Sequence, residues 1–160
     1  MAIEQRDWNQ DYSVGRTPWD KGGPSPALLE VINSGELPTG SEVLVPGCGY
    51  GHDVAALAQA GCTVTGLDIS ELALAEARSS NGADGASYVL GDFFDPSLVE
   101  LNRYDVIWEH TCFCAITPDQ RGGYVDAAHR LLKPMHHHRI RCLQSVIEDP
   151  GVGGNRPPDC

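Results

Sequence analysis

The stretch EVLVPGCGYGHDVAALAQAGCTVTGLD, Glu42 to Asp68, decides the fold. Its first five residues, Glu42 to Pro46, are an apolar run that Pro46 and Gly47 bring to a stop, which predicts a buried strand. A helix is expected from His52 to Ala60, because Val54, Ala55, Leu57 and Ala58 fall on one stripe and Gly61 stands where a left-handed cap belongs. A second strand, Cys62 to Asp68, closes a strand, helix, strand unit of the kind that builds parallel sheets. Downstream the pattern repeats. Ser70 is an N-cap for a helix carrying Leu72, Leu74, Ala75 and Ala77, and the turn-rich Asn81 to Gly85 leads into a third strand, Ala86 to Gly91. Tyr104 to Trp108 alternates into a fourth strand. Thr117-Pro118-Asp119-Gln120 then starts a helix with a capping box and proline at its first position, and Gly122-Gly123 should loosen its first turn. Arg139 to Ile147 reads as a fifth strand, and from Asp149 onward no ordered structure is expected. Ahead of the first strand, Ser25-Pro26 opens a helix through Ile32 that Gly35 and Pro38 end. The fold class is therefore α/β, a three-layer sandwich around a mostly parallel sheet, with residues 1–40 as a cover segment.

Composition narrows the function. With 160 residues there is room for one well-cored domain. Twenty-two acidic against eleven basic residues give a formal charge of −11, which repels a phosphate backbone, so no nucleic-acid partner is expected. No apolar run reaches the roughly 18 residues of a membrane helix, and no membrane partner is expected either. Residues 1–7 carry acids where a signal peptide has cations, which points to the cytoplasm. The six cysteines sit inside apolar runs and read as reduced thiols.

The chemistry starts at Gly47-Cys48-Gly49-Tyr50-Gly51, between a strand and a helix, where Gly47, Gly49 and Gly51 let backbone turn tightly and approach a ligand. A dinucleotide fingerprint would need glycine at position 52, where His52 stands, so a nicotinamide cofactor loses support. GxGxG after the first strand suits the amino-acid end of S-adenosylmethionine, although the glycines alone could be no more than a tight turn. Asp68 closes the second strand, where a carboxylate can accept both ribose hydroxyls of an adenosine. Asp92 closes the third, where an acceptor can meet an adenine amino group while Phe93 packs on the ring. Either acid by itself could be a solvated strand end; the three strand ends in register argue together. Glu109 and His110 end the fourth strand on the same side, and either could orient or deprotonate a thiol, or be strand-end polarity alone. Arg121 reads as a solvated cation.

With these residues the chain resembles class I S-adenosylmethionine-dependent methyltransferases, specifically the thiopurine S-methyltransferase family with its plant halide and thiol methyltransferases. The resemblance runs from Trp8 to about Pro134 through TPWDKGGPSP (17–26), LVPGCGYGHDV (44–54), GLDIS (66–70), GDFF (91–94), TCFCAI (111–116) and LLKP (131–134). It implies a Rossmann-like sheet of seven strands, S-adenosylmethionine as methyl-donor cosubstrate, and a small nucleophile such as a thiol, thiopurine, thiocyanate or halide as acceptor. It places donor-packing aromatics on Trp8, Tyr12 and Trp19, and the donor contact at Asp68 extends to Ile69 of GLDIS. Ring faces can hold a sulfonium cation without a countercharge that would deaden it, though the same rings could simply pin the cover to the core. Methyl transfer is an in-line displacement, so no enzyme nucleophile is needed.

His110, Cys112 and Cys114 alternate, and on an extended segment they would face one way and could join a histidine of 136–138 around zinc. The same stretch matches a family segment that needs no metal, and none is expected. After Pro134 the chain departs from the family's pattern, which leaves residues 41–134 as the donor-binding core, 135–160 as a divergent tail, and the last strands missing. The competing expectation is therefore a catalytically impaired donor-binding fragment of such an enzyme. The acceptor and the oligomeric state stay open.

Overall fold

In the computed structural model the described residues are 6–95, 97, 100–134 and 141–142, the last pair by backbone alone. Among the described residues five strands, β1 (Glu42–Pro46), β2 (Thr63–Asp68), β3 (Ala86–Leu90), β4 (Val106–Glu109) and β5 (Arg141–Cys142), form one sheet in the order β3-β2-β1-β4-β5. Every pairing is parallel, with Val45 opposite Gly66, Leu67 opposite Val89, Leu44 opposite Ile107 and Trp108 opposite Arg141. The helices between them are α3 (His52–Gln59), α4 (Glu71–Ser80) and α5 (Arg121–Leu131).

The pleat sorts the strand side chains into two cores, because successive residues face opposite sides of a sheet. Val43, Val45, Val64 and Trp108 join Leu28, Val54 and Leu57 on one side, whereas Leu44, Leu67 and Ile107 join Tyr124, Ala127 and Leu131 of α5 on the other. Helices on both faces of a parallel sheet give the expected three layers.

Two helices precede the sheet. Helix α2 (Pro26–Asn33) starts where Ser25-Pro26 predicts, with Ser25 Oγ accepting from Leu28 N at 3.2 Å. Asp53, in the first turn of α3, ties it down: its carboxylate accepts from Ser25 N at 2.7 Å and from the indole N–H of Trp108 at 2.8 Å. Helix α1 (Trp8–Ser13), capped by Asp7, has no counterpart in the sequence reading.

Other departures are local. The predicted fourth strand begins two residues later, since Tyr104 forms a lone bridge to Leu132, and it runs on through Glu109. The helix expected from Thr117 opens as a single 3-10 turn, Pro118–Gln120, before α5; Thr117 N and Oγ1 donate to Gln120 Oε1 at 3.1 and 3.0 Å. Cys48 and Cys62 are free thiols, but Cys114 is disulfide-bonded, which corrects the expectation of six reduced cysteines. The fifth strand appears as β5 alone within the described residues, and the reading of Asp149 onward falls outside them. Among the described residues no helix is long and apolar enough to cross a membrane.

Candidate functional site

Parallel strands bring their C-terminal ends, and the loops that follow, to one edge. Pro46 lies opposite Leu67 and Asp68 opposite Leu90, so the glycine turn, Ile69, Asp92 and the segment after Glu109 share that edge. Gly47 sits at φ 61, and a Cβ there would fall 2.9 Å from both Cβ and Sγ of Cys112. Gly51, the left-handed N-cap of α3 at φ 80, would put a Cβ 2.5 Å from Tyr88 Oη. Both positions exclude a side chain by conformation and by space.

Asp68 organises the turn. Its Oδ2 accepts from Gly49 N at 2.9 Å and its Oδ1 from Ser70 N at 2.9 Å, while the residue is only 8% exposed. Burial pushes its pKa above the ordinary aspartate value, and the backbone N–H groups of Ser70 and Gly49 oppose that rise. A carboxylate has about four acceptor sites, so two bonds leave capacity for ligand hydroxyls. Asp92 is exposed, with Oδ1 accepting from Phe94 N at 2.9 Å; Phe93 behind it is buried, its ring 4.3 Å from that of Tyr124.

Over this edge lies an aromatic cover. Helix α1 carries Trp8 and Tyr12 one turn apart, and both meet Trp19 edge-on, with ring centroids at 5.4 and 5.7 Å. Trp19 Nε1 donates to Tyr12 Oη at 3.1 Å, and Tyr12 also meets Tyr50 of the glycine turn at 5.1 Å. Burial, then the Asp68 charge, push the Tyr12 phenol far above its usual range, so it stays protonated. Polar contacts seat the cover: Asn9 Oδ1 accepts from Ser70 Oγ at 2.7 Å, and His52 Nε2 lies 3.1 Å from Asp20 Oδ1 of TPWD. The residue that breaks the dinucleotide fingerprint thus holds the cover to α3.

Between cover and strand ends is a cavity of about 450 Å³, lined by Trp8, Tyr12, Trp19, Gly47, Asp68, Ile69, Asp92 and Phe93 among others. Gly49 and Gly51 shape the turn without lining it. Neither Glu109 nor His110 is among its lining residues. Glu109 is 1% exposed, and its Oε1 accepts from Cys112 N at 2.7 Å and Phe113 N at 2.6 Å, folding the segment after β4 back on the strand. That segment is turned rather than extended: Thr111 has φ 68 and Ala115 N donates to Cys112 O at 3.0 Å. The alternation behind a zinc reading of His110, Cys112 and Cys114 therefore does not translate into a shared face, and no cluster of ligand type occurs among the described residues.

Sequence reasoning missed part of the lining: Arg6, Phe94, Thr111, Cys112, Thr117 and Tyr124. The segment TCFCAI holds two of these, Thr111 and Cys112, and GDFF holds Phe94; nothing in the sequence marks Arg6. Arg121, expected in solvent, has its guanidinium 5.2 Å from the Phe113 ring centroid and a buried Nε without a hydrogen-bond partner among the described residues.

A donor such as S-adenosylmethionine fits this chemistry. It needs hydroxyl acceptors, aromatic faces and a close backbone approach, and Asp68, the rings of Trp8, Trp19 and Phe93, and Gly47 provide them on one cavity.

Comparison with known proteins agrees. The chain is 40% identical over 137 residues to thiocyanate methyltransferase 1 of Brassica oleracea, covering 83% of this chain and 59% of that protein. It thus spans about three-fifths of the length of the curated relatives it matches. Among solved structures, one from work on the conversion of a disulfide bond into a thioacetal group during echinomycin biosynthesis superimposes with a TM-score of 0.69 at 32% identity. That match covers 79% of this chain and 54% of the other. The Burkholderia thailandensis 1,6-didemethyltoxoflavin-N1-methyltransferase, with bound 1,6-didemethyltoxoflavin and S-adenosylhomocysteine, gives 0.65 at 25% identity, covering 78% and 54%. These neighbours make the three-layer sandwich the Rossmann-like fold of class I methyltransferases. The sequence model of the thiopurine S-methyltransferase family matches residues 3–151, and this chain belongs to that family.

Proposed function

We propose that the protein is an S-adenosylmethionine-dependent methyltransferase that transfers a methyl group in line to a small nucleophile: a thiol, thiopurine, thiocyanate or halide. The observation that carries the reading is the cavity that joins Asp68 and Asp92, at adjacent strand ends, to the rings of Trp8, Tyr12 and Trp19. S-adenosylmethionine would supply an electrophilic methyl group there. Asp68 accepts the ribose hydroxyls with the lone pairs that Gly49 and Ser70 leave free, Asp92 meets the adenine amino group, and Phe93 packs on the base. The cover rings exclude water and face the sulfonium without neutralising it. Residues 1–40 act as the cover and 41–134 as the donor-binding core. Alignment of acceptor, methyl and sulfur can supply about 7 to 11 kcal/mol of barrier reduction, so catalysis rests on positioning. Glu109 acts through the loop it holds, and His110 beside it is the group left to move a proton from a thiol.

A second reading, donor binding without turnover, is favoured by one observation: neither Glu109 nor His110 lines the cavity. Titration calorimetry with S-adenosylhomocysteine and with NAD tests the shared part, and tighter NAD binding would sink both readings. Release of S-adenosylhomocysteine from S-adenosylmethionine with thiocyanate, iodide or a thiol separates them: turnover supports the enzyme, and donor binding without turnover supports the second reading.

A further inference from the structure

The cover contains a cation that the methyl-transfer reading does not use. Arg6 lines the cavity, its guanidinium carbon 4.2 Å from the ring centroid of Trp8 and 5.0 Å from that of Trp19. Its Nε donates to Asp11 Oδ2 at 2.6 Å, and Arg16 Nε lies 3.0 Å from Asp11 Oδ1. Asp11 is buried, at 6% exposed, so one carboxylate holds two guanidinium groups and leaves the cluster with one positive charge in excess.

We propose that Arg6 is the anion-recognising side chain of this cavity. Three carboxylates line the cavity, Asp68, Asp92 and Asp119, and among the described residues Arg6 is its one arginine or lysine. A negatively charged group entering there is repelled by those carboxylates and attracted by Arg6. The guanidinium is also held for the task. Asp11 engages its Nε edge, the two indoles flank it, and its terminal nitrogens make no hydrogen bond among the described residues. A guanidinium fixed on one edge presents two parallel N–H donors, the geometry that suits small oxyanions and carboxylates and that also places charge beside a thiocyanate or thiolate. The inference rests on the methyl-transfer reading in one respect. A sulfonium sharing Trp8 and Trp19 with Arg6 puts two cations on the same rings, and an anion between them relieves that repulsion. Two sources supply the anion: a negatively charged acceptor, or the carboxylate of the donor's amino-acid end.

Calorimetry on the full chain tests the assignment with three probes: sodium thiocyanate added to the S-adenosylhomocysteine complex, S-adenosylhomocysteine itself, and 5′-methylthioadenosine, which lacks the carboxylate. Arg6→Gln should weaken thiocyanate binding about tenfold if the acceptor is the source, the scale of one charge-assisted hydrogen bond. It should instead weaken S-adenosylhomocysteine, and spare methylthioadenosine, if the donor carboxylate is. Arg16→Gln removes the other partner of Asp11 without touching the cavity and should leave all three affinities unchanged. Unchanged affinities in Arg6→Gln, an equal loss for all three probes, or the same losses in Arg16→Gln would each overturn the proposal. Should the unsubstituted chain bind no S-adenosylhomocysteine, the methyl-donor reading falls, and thiocyanate titrated onto the free chain still decides the role of Arg6.

Discussion

Replacing Glu109 with alanine should destabilise the protein by about 2 to 4 kcal/mol. The carboxylate is 1% exposed, and a single oxygen, Oε1, accepts the N–H groups of Cys112 and Phe113 at 2.7 and 2.6 Å. Bonds to an ionised acceptor contribute roughly 1.5 to 3 kcal/mol each. Both donors belong to half-buried residues, so water replaces part of the loss, and the pair together falls at the lower end of its sum. The two bonds also hold Thr111 at φ 68, a conformation that costs a non-glycine residue about 1 to 2 kcal/mol and that relaxes once the clamp is gone. Glutamine offers a neutral oxygen in the same place, so Glu109→Gln should lose about half as much, in keeping with the roughly twofold advantage of a charged acceptor. Urea denaturation measures both through the midpoint at constant m. Against a typical total of about 5 to 15 kcal/mol the alanine variant is conspicuous. A Glu109→Ala protein within about 0.5 kcal/mol of the parent would refute the clamp. A general base would give the reverse pattern, with Glu109→Gln near parental stability and devoid of turnover.

Asp68→Ala should weaken S-adenosylhomocysteine binding by about 1 to 3 kcal/mol in calorimetry, the scale of a lost charge-assisted pair, and an unchanged affinity would remove Asp68 from the donor site. Because burial raises its pKa, donor affinity in the parent should fall on acidification before pH reaches the ordinary aspartate range near 3.9, and the alanine variant should lack that step. The stability sign is opposite: a carboxyl with a raised folded pKa favours the fold while protonated, below its unfolded pKa, and that contribution is lost as pH rises through the folded one. For the cover, a variant with Trp8 and Trp108 changed to Phe leaves Trp19 as the single indole; its emission should shift on donor binding, since Trp19 lines the cavity, and a constant spectrum would make the ring merely structural.

The core of the fold was legible because each element between Glu42 and Leu90 is bounded by its own signal: Pro46-Gly47, Gly61, the Ser70 cap and the Asn81 to Gly85 turn. Helix α1 was not, for a physical reason. Over six residues it has no repeating apolar stripe, and its rings at positions 8 and 12 cover a cavity rather than face a core. Arg6 escaped notice likewise, since its place depends on where Trp8, Asp11 and Trp19 come together.

The strand-end acids show where sequence reading stops. Asp68 and Glu109 each close an interior strand, each is nearly buried, and from the sequence either is a ligand acceptor or a proton carrier. Their fates diverge through the backbone that follows. After Asp68 a helix begins at once, so the N–H of residue i+2 and that of Gly49 take one bond to each oxygen and the group still lines the cavity. After Glu109 the chain turns back through Thr111, so the N–H groups of i+3 and i+4 converge on one oxygen and the side chain is drawn away from the lining. A carboxylate at a strand end thus becomes a cavity-lining acceptor or a loop clamp according to which N–H groups return to it, and that is set by the turn, which only the folded chain defines.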